Sequence, residues 1–201
     1  MKIYLIRHGE TDWNQINRFQ GREDIPLNDA GIAQAQAAGT ALQNLGIMAV
    51  YTSPLGRAVR TGEEIASKIG ISVADVHPLN NLIERDLGPF SGQIIENKQE
   101  YFALAAKENV SGMEPFSQVL NRMLTALTEL ESSGYASVAA VSHGAAINVL
   151  LAGLSNHEIG TGKTKLYNGG ITLLEGDSKN GFQIVFSNLN PKDAQLVLKN
   201  Y

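Results

Sequence analysis

The chain has 201 residues, 43% hydrophobic and 18% charged, a composition that supplies a buried core and argues against disorder. Its 16 Lys and Arg against 20 Asp and Glu leave a formal net charge of -4, which speaks against nucleic-acid or anionic-membrane binding, since both need a basic face. Cysteine is absent, so thiol nucleophiles, Cys-ligated zinc and disulfide scaffolds are excluded.

The opening run Met1-Lys2-Ile3-Tyr4-Leu5-Ile6 meets Arg7 too early for a signal peptide. No segment reaches the roughly 20 apolar residues of a membrane span. The expectation is a cytoplasmic protein with one domain over residues 1–201. Lys2 to Ile6 read as a buried strand that stops at Arg7-His8-Gly9. A polar loop follows to about Leu27. Asn28 can cap a helix with Ala30, Ala33, Ala37, Ala41 and Leu45 on its apolar face. Ile47 to Tyr51 read as a second strand, ended by Thr52-Ser53-Pro54, and a helix runs from Leu55 to Ile69, stopped by Gly70.

Ile71 to Val76 read as a third strand and His77 to Gly92 as a loop, with one or two helices over Gln93 to Glu108. Phe116 to Leu130 is the clearest amphipathic helix, with Phe116, Val119, Leu120, Met123, Leu124, Leu127 and Leu130 on one face. Ser137 to Ser142 is a strand and His143 to Leu154 a helix. Ile171 to Glu175 and Phe182 to Ser187 form a last strand pair. Alternating strands and helices predict an α/β fold, a mainly parallel sheet with helices on both faces.

Ligands of such sheets bind outside the carboxyl ends of the strands. That rule selects Arg7-His8-Gly9, Ser53-Pro54 with Arg57 just beyond, and Ser142-His143-Gly144. Two of the chain's 4 histidines fall there, each followed by a glycine that lets a ligand approach the backbone. If the first two strands are near neighbours, Arg7 and Arg57 share the crevice, and guanidinium groups match phosphate oxygens in a bidentate way. Phosphate monoesters are among the slowest substrates to hydrolyse. A site without metal needs cations for the equatorial oxygens, a nucleophile such as neutral imidazole, and an acid for the leaving alkoxide. The Glu84-Arg85-Asp86 loop after the third strand is the candidate source of that acid.

The run Arg7-His8-Gly9-Glu10-Thr11 resembles the signature of the histidine phosphatase superfamily, the phosphoglycerate mutase-like proteins. The resemblance continues through Trp13-Asn14, Arg18-Phe19-Gln20-Gly21, Pro26-Leu27, Ser53-Pro54-Leu55-Gly56-Arg57-Ala58, Leu82-Ile83-Glu84, Val141-Ser142-His143-Gly144 and Tyr167-Asn168-Gly169. It implies a three-layer α/β/α sandwich, with His8 as the nucleophile that becomes phosphohistidine. It further implies that Arg7, Arg57 and His143 hold the phosphoryl group, and that Glu84 is the general acid and later the base. Asn14, Gln20 and Gly21 match positions near the substrate. No metal or cofactor is implied. The partner is a small phosphorylated substrate, with no nucleic acid or membrane, and a homodimer is one option for assembly.

Leu87 stands where the mutases usually have an aromatic residue, and the chain has no Arg-Arg pair. This favours a phosphatase over a bisphosphoglycerate-dependent phosphoglycerate mutase; a non-catalytic phosphate-binding domain is the third alternative. Two further departures are Gly112-Met113-Glu114-Pro115, where the family often has Gly-Glu-Ser, and Asn148, where an arginine is common. The Gln20 to Asp24 loop and the Pro89 to Gly112 region, with Phe90, Tyr101 and Phe102, are expected to form a lid. Gly160-Thr161-Gly162-Lys163-Thr164 lacks the full Walker pattern and a preceding strand, and reads as a flexible turn. Ser142 is no hydrolase nucleophile, because no acid lies between it and His157.

Overall fold

The computed structural model describes every residue except Asn200; the side chains of Lys98, Tyr101 and Ala105 also lie outside the described set. The strands are β1 (Lys2–Arg7), β2 (Ala49–Thr52), β3 (Val76–Pro78), β4 (Ser137–Ser142), β5 (Ile171–Asp177) and β6 (Gly181–Leu189). The helices are α1 (Asp12–Gln15), α2 (Asp29–Ala41), α3 (Gly56–Ile69), α4 (Lys98–Ala105), α5 (Phe116–Ser132), α6 (Gly144–Leu154) and α7 (Pro191–Leu198). The six strands form one sheet in the order β3-β2-β4-β1-β5-β6. The first four in that order are mutually parallel, and β5 and β6 are added antiparallel.

β1 shows why helices cover both faces. Side chains alternate along a strand, so Ile3 and Leu5 pack with Val119, Met123 and Leu127 of α5 and Ile147 and Leu150 of α6. Tyr4 and Ile6 pack on the other side with Ala38 and Leu42 at the end of α2 and Ala58 and Ile65 of α3. Burial on two faces accounts for the unbroken apolar run of a parallel strand, each large side chain contributing about 1.5–3 kcal/mol. The expected α/β/α layering is present. Among the described residues no helix is long and apolar enough to cross a membrane.

Some local expectations are corrected. Ala30, Ala33 and Ala37 are exposed, whereas Gly31, Ala35, Ala38 and Gly39 form the buried side of α2. In a helix this rich in alanine, close approach decides the face more than hydrophobicity. A Cβ at Gly39 would stand 2.8 Å from Cβ of Lys68 on α3. The third strand starts at Val76, not Ile71, because Ser72 accepts from the Ala74 N–H and closes a 3-10 turn over Val73–Asp75. Between Gln93 and Glu108 the one helix is α4, capped by Asn97.

β4 lies between β1 and β2, so those two strands are not direct neighbours. Arg7 pairs with Ser142 and Thr52 with Val141, so all three strands stop at one sheet edge. His8, His143 and Ser53 follow side by side.

Candidate active site

His8 leaves the end of β1 with its backbone N–H bonded to Ser142 O at 3.0 Å. The turn behind it depends on Gly9, where a Cβ would stand 2.3 Å from the carbonyl oxygen of Gly31. The Gly9 N–H donates to Thr61 Oγ1 at 3.0 Å, and that hydroxyl donates to Arg57 O at 2.7 Å. This chain of bonds ties the His8 turn to the first turns of α3. The His8 ring is 2% exposed, and its Nδ1 lies 2.6 Å from the Gly9 carbonyl oxygen. A carbonyl can only accept, so Nδ1 carries the proton and Nε2 keeps its lone pair. Burial, then the charges of Arg57 and Arg7, push the imidazole pKa well below 6.5, against the opposing pull of the Gly9 bond. His8 is neutral at neutral pH.

Arg57, near the start of α3, is 1% exposed. Its Nε–H donates to His8 Nε2 at 3.3 Å, its Nη2 to Gly21 O at 2.8 Å and its Nη1 to Glu23 O at 2.5 Å. Burial lowers its pKa to about 10, partly offset by Glu84 and Asp24, so it remains a cation. Arg7 anchors Nη1 on Leu166 O at 2.6 Å and also lines the cleft.

Glu84 reaches the cleft from the loop after β3. Its Oε1 accepts from the N–H groups of Arg85 (2.8 Å) and Ala146 (2.9 Å), and Oε2 from that of Ala145 (3.1 Å). Two of these donors belong to the first turn of α6, whose N–H groups have no intrahelical partners. His143 caps the same helix. Its ring is buried, with centroid 5.1 Å from that of His8 and Nε2 2.6 Å from Ser53 Oγ. Burial, Arg57 and His8 push its pKa well below 6.5 as well. Its Nδ1 has no hydrogen-bond partner among the described residues. The buried His143 ring thus lies against that of His8, outside the residues that line the cleft.

Arg7, His8, Asn14, Gln20, Gly21, Arg57 and Glu84 all line one cleft of about 120 Å³. Asn14 Oδ1 accepts from the Thr11 N–H at 3.1 Å and from Asn168 Nδ2 at 3.2 Å, which joins α1 to the Tyr167-Asn168-Gly169 turn. From the Pro89 to Gly112 region, Ile95 reaches the lining; Phe90 lies beneath the Lys107 ammonium, and the Tyr101 side chain is outside the described residues. Sequence reasoning read residues 160–164 only as a flexible turn and missed their place in the site. Thr161, Gly162, Thr164 and Lys165 line the cleft, and the turn is fastened to α6: Asn148 Nδ2 donates to Thr164 O at 2.9 Å, and the Thr161 N–H to Asn148 O at 3.2 Å. The signal was Asn148, noted as a departure from the family pattern without a partner to explain it.

Arg85 is 1% exposed. It donates to Glu114 O at 2.7 Å and Lys107 O at 2.9 Å, and stacks 3.9 Å from the Phe116 ring centroid. Among the described residues no cluster of three or more metal-ligating side chains converges.

A neutral imidazole with a fixed lone pair, set among guanidinium groups at strand ends, can bind an oxyanion and attack its central atom. The comparisons agree with that class of chemistry. The chain belongs to the histidine phosphatase superfamily, branch 1, whose family model matches residues 3–190. The uncharacterized phosphatase PhoE of Bacillus subtilis is 31% identical over 175 residues, 86% of this chain and 87% of that protein. The probable phosphoglycerate mutase GpmB of Klebsiella pneumoniae is 36% identical over 161 residues, 75% and 73% of the two chains. Among solved structures, a phosphoserine phosphatase from Entamoeba histolytica in complex with 3-phosphoglyceric acid is 28% identical with TM-score 0.74, covering 94% of this chain and 96% of that one. Bacillus stearothermophilus YhfR matches at 27% identity and TM-score 0.77, over 92% and 95%. The protein is phosphatase- or mutase-like.

Proposed function

We propose that this protein is a metal-independent phosphomonoesterase that acts on a small phosphorylated metabolite through phosphohistidine. The observation that carries the reading is the His8 ring: Gly9 O fixes the proton on Nδ1, and Nε2 faces the Arg57 guanidinium. In the first step Nε2 attacks phosphorus, the P–N bond forms and the P–O bond to the substrate breaks. The departing oxygen takes its proton from Glu84. Gly9 O, still accepting from Nδ1–H, stabilises the positive charge that the ring acquires. Arg57 and Arg7 balance the equatorial oxygens, a form of electrostatic catalysis. In the second step the Glu84 carboxylate removes a proton from water, whose oxygen attacks phosphorus. The P–N bond breaks, inorganic phosphate leaves and His8 is again neutral.

Hydrolysis rather than transfer is supported by the cleft's other guanidiniums. Arg85 is engaged by Glu114 O, Lys107 O and Phe116, and Arg18 donates to Gly92 O at 2.7 Å while stacking on Trp13. A mutase must retain a phosphoacid until it is rephosphorylated, which calls for cations to hold it. The mutase reading has its own support in the 36% identity to GpmB. Incubation with phosphoglycerate and a bisphosphorylated primer separates the two, by isomer formation or by phosphate release.

The direct test is hydrolysis of an aryl phosphate in excess chelator, with His8→Ala beside the parent protein. Loss of at least about 10³-fold is expected for removal of a nucleophile. An acid-labile, alkali-stable phosphoryl group should map to His8 in the parent. Unchanged turnover in His8→Ala ends the proposal, and phosphate binding with no phosphoenzyme at all indicates a non-catalytic domain.

A further inference from the structure

Behind Glu84, outside the cleft lining, lies a compact group of charges. Glu114, two residues before α5, is almost buried and accepts from Arg122 Nε through Oε1 at 2.8 Å. Its Oε2 accepts from Arg122 Nη2 at 3.0 Å, from Arg22 Nη2 at 3.2 Å and from the backbone N–H of Asp86 at 3.2 Å. Both arginines extend past the carboxylate to the main chain on either side of the candidate acid. Arg122 Nη1 donates to Asn81 O at 3.0 Å and to Ile83 O at 2.5 Å, and Arg22 Nε donates to Glu84 O at 3.1 Å. The Glu114 N–H closes the group on Asp86 O at 2.9 Å. Burial pushes the Glu114 carboxyl up, but the hydrogen bond and charge of Arg122, with Asp86 N–H and Arg22, hold it below the ordinary carboxylate range. The clamp is thus ionised. None of Glu114, Arg122 and Arg22 lines the cleft.

We infer that the Arg22–Glu114–Arg122 clamp positions Glu84 for proton delivery to the leaving oxygen. The inference rests on Glu84 being the acid proposed above. The loop over residues 81–86 has no regular sheet or α-helix bonds along most of its length, so its carbonyls depend on partners from elsewhere. Two guanidiniums supply three of those partners, and one carboxylate holds both guanidiniums in place. Neutralising that carboxylate leaves the mostly buried Arg122 cation without its counter-charge and removes the anchor that holds the more exposed Arg22, which should release the loop and shift the Glu84 side chain. A shift of about an ångström is enough to cost a positioned proton donor much of its effect.

A general acid matters in proportion to how badly the leaving group needs a proton. Ethyl phosphate releases a strongly basic alkoxide, and dinitrophenyl phosphate a phenolate that leaves unaided. The readout is therefore kcat/KM on the two substrates, which reports the steps through leaving-group departure. For Glu114→Gln, kcat/KM on ethyl phosphate should fall about 10- to 100-fold and on dinitrophenyl phosphate less than about threefold. Arg22→Ala, at the exposed end of the clamp, should show the same pattern at about 3- to 10-fold, and keeps the test available if Glu114→Gln folds poorly. Equal losses on both substrates, or no loss on either, overturn the inference. Glu84→Gln serves as the reference. If it shows the leaving-group pattern and the clamp variants do not, the clamp idea alone fails; if Glu84→Gln itself lacks the pattern, the assignment of the acid fails.

Discussion

Arg57 points its Nε–H at the lone pair of His8 Nε2 across 3.3 Å, so the atom proposed to attack phosphorus is already faced by a cation. The same guanidinium bonds the carbonyls of Gly21 and Glu23. One buried side chain therefore aims the imidazole, holds the loop over residues 20–24 and presents positive charge to the cleft.

Replacing Arg57 with Lys should separate charge from geometry. An ammonium keeps the charge but cannot serve three acceptors in the fixed directions of a planar fork. The expected loss in kcat/KM on an aryl phosphate is about 10²- to 10³-fold, measured by steady-state kinetics. Activity within about threefold of the parent would show that charge alone suffices.

Stability should depend on pH through the two buried histidines. His8 and His143 both titrate well below 6.5 when folded, while the unfolded chain has ordinary imidazoles. Above about pH 6.5 both states are neutral and there is no penalty. As pH falls from there toward the folded values, the unfolded state binds more protons and the fold loses stability. The slope approaches about 1.4 kcal/mol per pH unit for each histidine. Denaturant titrations at several pH values between 7 and 5.5 measure it, and His8→Ala should reduce the slope. A flat profile over that interval contradicts the argument.

The catalytic pH profile carries the same sign. Since the charges of Arg57 and Arg7 help to keep His8 neutral, the acid limb of kcat/KM should lie below pH 6.5. Removing the Arg57 charge in Arg57→Gln should move that limb toward higher pH. A limb at or above 6.5 in the parent protein contradicts this.

Thr61 is a structural support for the His8 turn, accepting from the Gly9 N–H and donating to Arg57 O. The near-isosteric Thr61→Val strands the buried Gly9 N–H, at a cost of about 1–3 kcal/mol. Chemical denaturation reads that loss directly, and a change below about 0.5 kcal/mol would mean that Gly9 N–H finds another partner.

Gly9→Ala tests the close approach of two backbones. The new methyl would stand 2.3 Å from Gly31 O and 2.9 Å from Gly31 Cα, and neither atom belongs to a flexible side chain. We expect destabilisation of about 1–3 kcal/mol, with a loss of activity larger than the unfolded fraction explains, because His8 adjoins the displaced turn. Thermal melts paired with kinetics on the folded fraction decide the matter.

Strand ends were the most legible part of the site. Apolar runs that halt at Arg7-His8-Gly9 and at Ser142-His143-Gly144 announce themselves, since the polar residue must follow the last buried one. Glu84 was nameable only through its neighbours in the resemblance. Its placement against the first turn of α6 comes from residues 61 and 62 positions away along the chain. Arg85 could not be separated from a substrate contact by pattern, because its partners at Lys107 and Glu114 are backbone carbonyls, which leave no trace in side-chain chemistry. The turn over residues 160–165 was hidden for the same reason.

The order of amino acids by itself determined the alternation of strands and helices, the family, and which imidazoles and guanidiniums stand at strand ends. These are local or pattern-level properties, written in apolar period and contiguous motifs. Only the tertiary structure decided that β4 separates β1 from β2, that the buried His143 ring packs against His8, and that a clamp two arginines wide holds the Glu84 loop. Those relationships join segments far apart in the chain. They arise from packing two faces of one sheet and satisfying buried backbone groups, which depend on the whole fold at once.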